Sequence, residues 1–559
     1  MRRASPLLFA VAVLLGAACA TTSASSPAPA PAAAVPAQPP PPPPDPDAPL
    51  KKDVQALREA AAGLLQAQAE LTWKSWALGE AVDYSAAAKG REALFAPDAY
   101  AKVKALREKT KDPGQERALR ALELYLAGEQ VARATSDSAD AVAHLAATSM
   151  FSVEGQEFSF RELEVALANE GHTGKRRKIY QAAGPVVRKL EVALSLREKK
   201  LAEAVSALGY PNPLAFEAAQ RRVDDPATLS ALAEQVLTRT EASYSAALQE
   251  RCKKELALDL KGVRRSDIPR IMRTGDVDTF FPKEKSLEVL TSLLARMGLD
   301  SVALPQLKLD GAPQLRRNPR ALAVSVVAGK DVRLSLRPAS GLGAAAQAFH
   351  EAGHAVQAAA TKGEVAEFAA LGSGAVAEAA GYLLEDVLDD PPFVETLGVP
   401  PAKLAAHAKV SALRKLLQAR RLAGRLLFEI SWRSGTLQGK PEDAYREIMA
   451  RALGFPADPE DGARWLTDND DDLAAADHLR GLLAAAQLRA ALSSEFGPKW
   501  WSDAKAGARL AGWFAPGSQP TIEQLVQSAG SKALDVEPFA AGLEALLATP
   551  PAAPAKAGP

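Results

Sequence analysis

Cysteine and histidine are the rarest reactive residues of this 559-residue chain, which has two cysteines and six histidines. Cys252 is the one cysteine beyond the first 20 residues, so the body of the chain can form no internal disulfide. The chain also has no net charge, because its 67 basic residues balance its 67 acidic ones. This balance excludes the global basic excess of proteins that bind nucleic acid or anionic membranes. The charges are interspersed, which predicts the solvated faces of many helices.

Familiar ligand-binding motifs are absent too. The sequence has no phosphate-binding loop, no dinucleotide-binding glycine motif and no Gly-x-Ser-x-Gly nucleophile elbow. At 47% hydrophobic residues, the chain is nevertheless long enough to bury a large core in more than one domain.

Residues 1–20 are predicted to be a secretion signal. Arg2 and Arg3 give it a positive start, and the apolar run at 7–15 is too short to span a bilayer. Ala18-Cys19-Ala20 has the form of an ordinary signal-peptidase site, whereas residues 15–19 resemble a bacterial lipoprotein box that ends in Cys19. The lipoprotein alternative is favoured because residues 21–49 are rich in proline and alanine, the composition of an extended tether. We therefore expect an exported protein of the bacterial cell envelope or periplasm, lipid-anchored at Cys19.

Amphipathic helices are predicted for most of the remaining chain. Breaks fall at Asp112-Pro113, at residues 209–213 and at Asp225-Pro226, and residues 401–432 form a long helix with Arg and Lys on one face. One β-hairpin is predicted, from residues 321–327 and 331–337. The expected fold class is mainly α, with an N-terminal helical lobe at 50–300, a catalytic lobe at 301–548 and a flexible tail at 549–559.

The segment His350-Glu351-Ala352-Gly353-His354 carries the strongest chemical signal. Histidines four residues apart lie on one face of a helix and can share a single zinc ion, while the intervening glutamate can take a proton from water. Because histidine is so scarce, we expect fewer than about one chance match in a hundred such sequences. Gly353 costs its helix about 1 kcal/mol relative to alanine, which is tolerable where another backbone or a substrate passes close by.

A third zinc ligand must come from another segment, and the downstream acidic candidates are Glu364, Glu367, Glu378, Glu385 and Asp386. Glu378 is favoured for two reasons. The turn at residues 371–374 can redirect the chain before it, and a single carboxylate on the apolar helix at 375–384 would be costly unless it were paired or metal-bound. Glu385 follows two turns later on roughly the same face, where it could hydrogen-bond a ligating histidine.

These residues, in this order, resemble the thimet oligopeptidase and oligopeptidase F family of zinc metallopeptidases. The resemblance rests on residues 350–354, Val376-Ala377-Glu378 and Leu384-Glu385, although Ala377 separates the valine from the glutamate, which are adjacent in the family. Residues 317–321 and 333–338 look like the family's approach to the zinc helix, and residues 477–501 are similar to its closing helix. The resemblance implies a two-lobed helical body with a deep channel over one zinc ion that admits short peptides.

The chain departs from the family at the late helix. Family members place tyrosines there to stabilise the oxyanion, but residues 477–480 contain none, and His478 stands where a tyrosine would align. A histidine could donate the same hydrogen bond; it could also be structural, or mark weakened activity.

The expected function is a monomeric zinc peptidase in which His350, His354 and Glu378 bind one Zn²⁺ and Glu351 is the general base. Its partners would be short peptides, with no nucleic acid and no membrane contact beyond the lipid on Cys19. One alternative is a catalytically weak or inactive zinc-binding relative that binds peptides or a partner at the surface. Another is an envelope scaffold built from the N-terminal helices.

Overall fold

The computed structural model describes residues 45–363 and 365–550. Helices make up 69% of the structure and strands 5%, which confirms the mainly α fold class. The predicted signal peptide at 1–20, most of the tether at 21–49 and most of the tail at 549–559 lie outside the described residues. None of the helices within the described ranges is both long and apolar enough to cross a membrane.

The described residues before position 300 form eleven α-helices and one two-stranded sheet. These are α1 Ala48–Trp73, α2 Ala99–Lys109, α3 Pro113–Thr148, β1 Met150–Val153, β2 Gln156–Ser159, α4 Leu163–Asn169, α5 Thr173–Ala182, α6 Gly184–Ala207, α7 Pro213–Gln220, α8 Pro226–Leu256, α9 Ile268–Ile271, α10 Gly275–Asp278 and α11 Lys283–Arg296.

The described residues after position 300 form three strands and a further eleven α-helices. These are β3 Leu307–Asp310, β4 Leu322–Val327, β5 Asp331–Ser335, α12 Leu342–Ala360, α13 Ala366–Ala370, α14 Gly374–Glu385, α15 Pro391–Thr396, α16 Pro401–Arg433, α17 Pro441–Leu453, α18 Pro459–Gly462, α19 Ala474–Phe496, α20 Ala504–Phe514, α21 Ile522–Ser528 and α22 Glu537–Leu547.

The three breaks between helices that were predicted in the first half of the chain coincide with capped helix starts. Asp112, Asn212 and Asp225 each accept a backbone N–H of the following turn, and each is followed by a proline at the first helical position. An acidic or amide cap satisfies an amide that the helix leaves unpaired, and proline lacks the amide that would have no partner there. The breaks predicted at Asp112-Pro113, at residues 209–213 and at Asp225-Pro226 are therefore the starts of α3, α7 and α8.

The hairpin predicted upstream of the helix that carries His350 and His354 is present. β4 and β5 pair antiparallel, with Leu322 opposite Ser335. The sheet also holds β3, which pairs parallel with β5, so the order is β3-β5-β4 and β4 lies at an edge. The expectation of a single hairpin was wrong, because β1 and β2 form another around Glu154-Gly155, whose positive φ angles of 53° and 85° suit a tight two-residue turn.

The core around His350 and His354 is built by α12, which carries them, and by α14, α16 and α19. α14 packs between α12 and α19, and α16 packs against α8 and α19. One continuous cluster of buried apolar side chains runs from Leu214 to Leu546 and so includes residues on both sides of position 300. The division into lobes at 50–300 and 301–548, and the deep channel, stay predictions.

A buried charge cluster joins the two halves of the sequence. Arg433 on α16 contacts Glu198 on α6 and Glu217 on α7, both at 2.8 Å, and Glu429 on its own helix at 3.1 Å. Arg433 is only 6% exposed and Glu217 only 1% exposed. Charged side chains that are buried this deeply destabilise the fold unless they pair with opposite charges, as Arg433 and these glutamates do.

Candidate metal centre

Helix α12 holds His350 and His354 one turn apart on the same face. Their imidazole centroids lie 4.7 Å apart, with the rings nearly perpendicular at 86°. The side chains are 16% and 21% exposed, so they are recessed but remain accessible from outside. This is the arrangement predicted from the spacing of the two histidines.

Glu378 meets both histidines from the neighbouring helix α14. Its Oε2 lies 3.4 Å from Nε2 of His350, and its Oε1 lies 4.0 Å from Nε2 of His354. In a tetrahedral zinc site with ligand distances of about 2.1 Å, neighbouring ligand atoms are about 3.4 Å apart. One ligand atom from each of the three residues lies within 4.8 Å of the others, and within the described ranges this is the group of side chains that could hold a metal ion. Two imidazoles and a carboxylate are a donor set that fits zinc.

Glu385 fixes the orientation of His350. Its Oε2 lies 3.0 Å from Nδ1 of His350, so Nδ1 donates to this carboxylate and Nε2 is the nitrogen that faces Glu378. Buried Nδ1 of His354 has no hydrogen-bond partner among the described residues. The two histidines are therefore held differently: His350 by a carboxylate and His354 by packing.

The ionisation of the three residues reflects their mutual contacts. Burial by itself raises the pKa of Glu378, but the neighbouring His478 and His350 outweigh burial and hold this pKa well below its ordinary value. Burial lowers the pKa of His350, whereas hydrogen bonds to Glu378 and Glu385 raise it to about 10. The pKa of His354 is lowered, because burial and the nearby His350 both oppose its protonation. Glu378 is thus a carboxylate and His354 a neutral imidazole, the forms that bind metal, whereas His350 is protonated in the metal-free site and would release its Nε2 proton when a metal binds.

Glu351 lies on the same helix beside the two histidines and faces the sheet. The backbone N–H of Ala323 on β4 donates to its Oε2 at 2.9 Å. This bond holds the carboxylate between the helix and the edge strand of the sheet. The glutamate predicted to be catalytic therefore lies beside both the candidate metal ligands and the edge strand β4.

His478 reaches the centre from α19. Its Nδ1 lies 2.8 Å from Oε2 of Glu378 and 3.1 Å from the hydroxyl of Tyr382, and that hydroxyl accepts a hydrogen bond from Nε2 of Gln418 at 3.0 Å. The sequence prediction missed Tyr382 and Gln418. Tyr382 could have been found, since it follows Glu378 by four residues and so shares its helix face. Gln418 lies on α16 and carries no comparable signal.

Glycines let α12, α14 and α19 pack closely against one another at the site. A Cβ on Gly353 would lie 2.1 Å from the carbonyl oxygen of Ala380, and one on Gly381 would lie 2.7 Å from the ring of His350. Across the other interface, a Cβ on Gly481 would lie 2.4 Å from Cβ of Glu378. The backbone expected to pass close to Gly353 is therefore α14, the helix that carries the third candidate ligand.

The other acidic candidates lie elsewhere. Glu367 pairs with Arg58 on α1 at 2.5 Å, and Asp386 pairs with Lys415 at 2.8 Å. Glu364 lies outside the described residues. Of the other histidines, His144 is exposed and belongs to no group of described side chains that could share a metal ion. His172 caps α5 by accepting the N–H of Lys175. The structure thus brings His350, Glu351, His354, Glu378, Glu385 and His478 together and leaves the rest apart.

Comparison with models of known protein families gives no match for this chain, and no curated protein matches it.

Proposed function

We propose that this protein is a zinc-dependent peptidase that hydrolyses short peptides. The observation that carries the proposal is the meeting of His350, His354 and Glu378 from two helices, with Glu351 beside them. Zinc bound there would act as a Lewis acid, polarising the scissile carbonyl and lowering the pKa of a water molecule toward neutrality. His350 presents Nε2 to the ion because Glu385 holds its other nitrogen.

Glu351 is assigned the role of general base. It takes a proton from the attacking water and passes it to the departing amine, so no covalent link between enzyme and peptide is needed. Its bond to the N–H of Ala323 keeps the carboxylate beside the ligands. General-base assistance of this kind contributes about 10²- to 10⁴-fold to rate.

The edge strand β4 supports a peptide as the substrate class. Backbone amides alternate in direction along a strand, so the N–H of Ser325 lies on the same side of β4 as that of Ala323, which faces Glu351. An extended peptide can pair with such an edge through backbone hydrogen bonds, without recognition of particular side chains. Peptides of mixed sequence are therefore the substrates to test.

The order and contacts of these residues also support membership of the thimet oligopeptidase and oligopeptidase F family. Glu378 and Glu385 follow the histidine motif in the family's order, and Glu385 contacts His350 as a supporting carboxylate would. With the lipoprotein signal predicted at Cys19, we propose that the protein acts on peptides in the bacterial envelope.

A second candidate is a zinc-containing binding protein with little or no turnover, and the environment of His478 favours it. Tyr382, the tyrosine in contact with His478, is 3% exposed and is bonded to Gln418. This hydroxyl therefore supports the ligands from behind and does not face a substrate. If His478 cannot supply the oxyanion hydrogen bond, the chain binds peptides without cleaving them efficiently.

Metal analysis combined with peptide digestion separates the two candidates. Purified protein is assayed for bound zinc, then incubated with quenched fluorescent peptides of mixed sequence, with and without chelator, and the products are identified by mass spectrometry. Glu351→Gln should keep zinc but lower turnover by at least about 10²-fold. Glu395→Gln, an exposed glutamate on α15, is the matched control and should be as active as wild type.

Chelator-sensitive turnover that depends on Glu351 supports the peptidase. Zinc and peptide binding without turnover supports the binding protein. Full activity of Glu351→Gln would overturn the assignment of the general base.

A further inference from the structure

Lys415 is a buried lysine at the back of the candidate metal centre. It lies on α16, is 5% exposed, and its Nζ contacts Oε1 of Glu385 at 2.7 Å and Oδ1 of Asp386 at 2.8 Å. The ammonium group also lies 5.2 Å from the ring centroid of Tyr382. A buried ammonium is costly unless it is paired, and here two carboxylates pair it.

The two oxygens of Glu385 have separate partners. Oε1 accepts from Lys415 on α16, and Oε2 accepts from Nδ1 of His350 on α12. A carboxylate held at both oxygens cannot rotate without breaking one of these bonds. The continuous sequence of contacts from Lys415 through Glu385 to His350 therefore joins three helices at the site.

Tyr382 strengthens the same connection. Its ring packs against the imidazole of His350 at 4.8 Å between centroids, while its face is turned to the ammonium of Lys415. Lys415 thus has two routes to one histidine, an ionic one through Glu385 and an aromatic one through Tyr382. Both routes restrict the orientation of His350.

We propose that Lys415 is a positioning residue for the metal centre, holding Glu385 so that His350 presents Nε2 to the ion. The inference rests on the proposed metal site and deepens it. Removal of a partner that orients a ligand typically weakens metal affinity by about 10- to 100-fold. Lys415 acts through Glu385, so its effect should depend on Glu385 being present.

The test is a double-mutant cycle with zinc affinity as the readout, measured on purified protein by competition with a chromophoric chelator. Lys415→Met and Glu385→Gln should each weaken zinc binding by about 10- to 100-fold, and the double variant should be no weaker than the worse single one. Lys415→Arg, which keeps the charge, should recover part of the loss. Lys409→Met is the matched control: Lys409 lies on the same helix but is 42% exposed and pairs with Glu250, so zinc affinity should not change.

The outcomes are separable. If Lys415→Met does not fold, Lys415→Gln carries the same cycle. Lys415→Met that binds zinc as tightly as Lys409→Met would overturn the inference, as would effects that add fully in the double variant. A wild-type protein that binds no zinc would overturn the proposed metal site and this inference with it.

Discussion

Gly353→Ala tests whether close packing of α12 on α14 places Glu378. The added Cβ would lie 2.1 Å from the carbonyl oxygen of Ala380, about 1.3 Å inside the 3.4 Å at which ordinary contact begins. The obstacle is backbone, so the two helices must separate by about 1 Å. Overpacking of this kind costs up to about 3 kcal/mol, and alanine returns about 1 kcal/mol of helix propensity. We expect a net loss of about 2 kcal/mol in the free energy of unfolding.

Gly343→Ala is the matched control on the same helix. Gly343 is exposed near the start of α12, and a Cβ there would meet nothing within 4 Å. This variant should be neutral or stabilised by up to about 1 kcal/mol. The same substitution should therefore lower stability at position 353 and leave it unchanged or raise it at position 343, as measured by urea unfolding followed by circular dichroism.

Zinc affinity provides the second measurement for Gly353→Ala. Metal–ligand distances tolerate changes of only about 0.2 Å, so a separation of about 1 Å between the histidines and Glu378 should weaken zinc binding by at least about tenfold. Gly343→Ala should bind zinc as wild type does. If Gly353→Ala is as stable as wild type and binds zinc equally well, helix packing does not set the position of Glu378, and the reasoning fails.

Three further predictions concern groups away from the candidate metal centre. Burial raises the pKa of the Cys252 thiol to about 12, so in a Cys19→Ala chain a thiol reagent should react only after unfolding; rapid reaction of the native protein would contradict this. Arg433→Met leaves the buried Glu217 and Glu429 and the partly buried Glu198 without this cation and should cost about 3–5 kcal/mol in urea unfolding; a loss below about 1 kcal/mol would refute the pairing. Burial raises the pKa of Asp468, but adjacent Arg265 outweighs it and holds this pKa well below the ordinary value. The carboxylate therefore adds stability at neutral pH that is lost in acid, and the gap between wild type and Asp468→Asn should shrink below about pH 4; a pH-independent gap would be inconsistent.

The candidate site could be predicted from the sequence wherever one segment carried the whole signal. The histidine spacing identified His350 and His354, and the cost of a single carboxylate on an apolar helix identified Glu378. The hairpin of β4 and β5 followed from alternation and a turn. β3 did not, because four residues carry too little pattern and its parallel partner β5 lies more than 20 residues away.

The contacts between helices that are distant in sequence could not be predicted, although His478 and Glu385 were themselves singled out from the sequence. Tyr382 and His478 are separated by 96 residues, and Lys415 and Glu385 by 30. The basic face of residues 401–432 predicted solvated charge, yet Lys415 and Arg420 on this segment are at most 5% exposed. Helix periodicity shows which side chains share a face, but it does not show which carboxylates other helices bring to that face.

Whether a buried charged side chain is connected to the candidate metal centre depends on its partners and not on its burial. Arg420 donates to the carbonyl oxygens of Ala452, near the end of α17, and of Leu237, within α8, and it pairs with Glu241. The carboxylates around Arg433 contact none of the candidate ligands. Lys415 differs, because one of its two carboxylates, Glu385, has its second oxygen on Nδ1 of His350. Glu378 was predicted by the rule that a buried charge on an apolar helix must have a partner. For Lys415 the same rule requires a partner, and one of its partners is Glu385, which contacts His350 of the candidate metal centre.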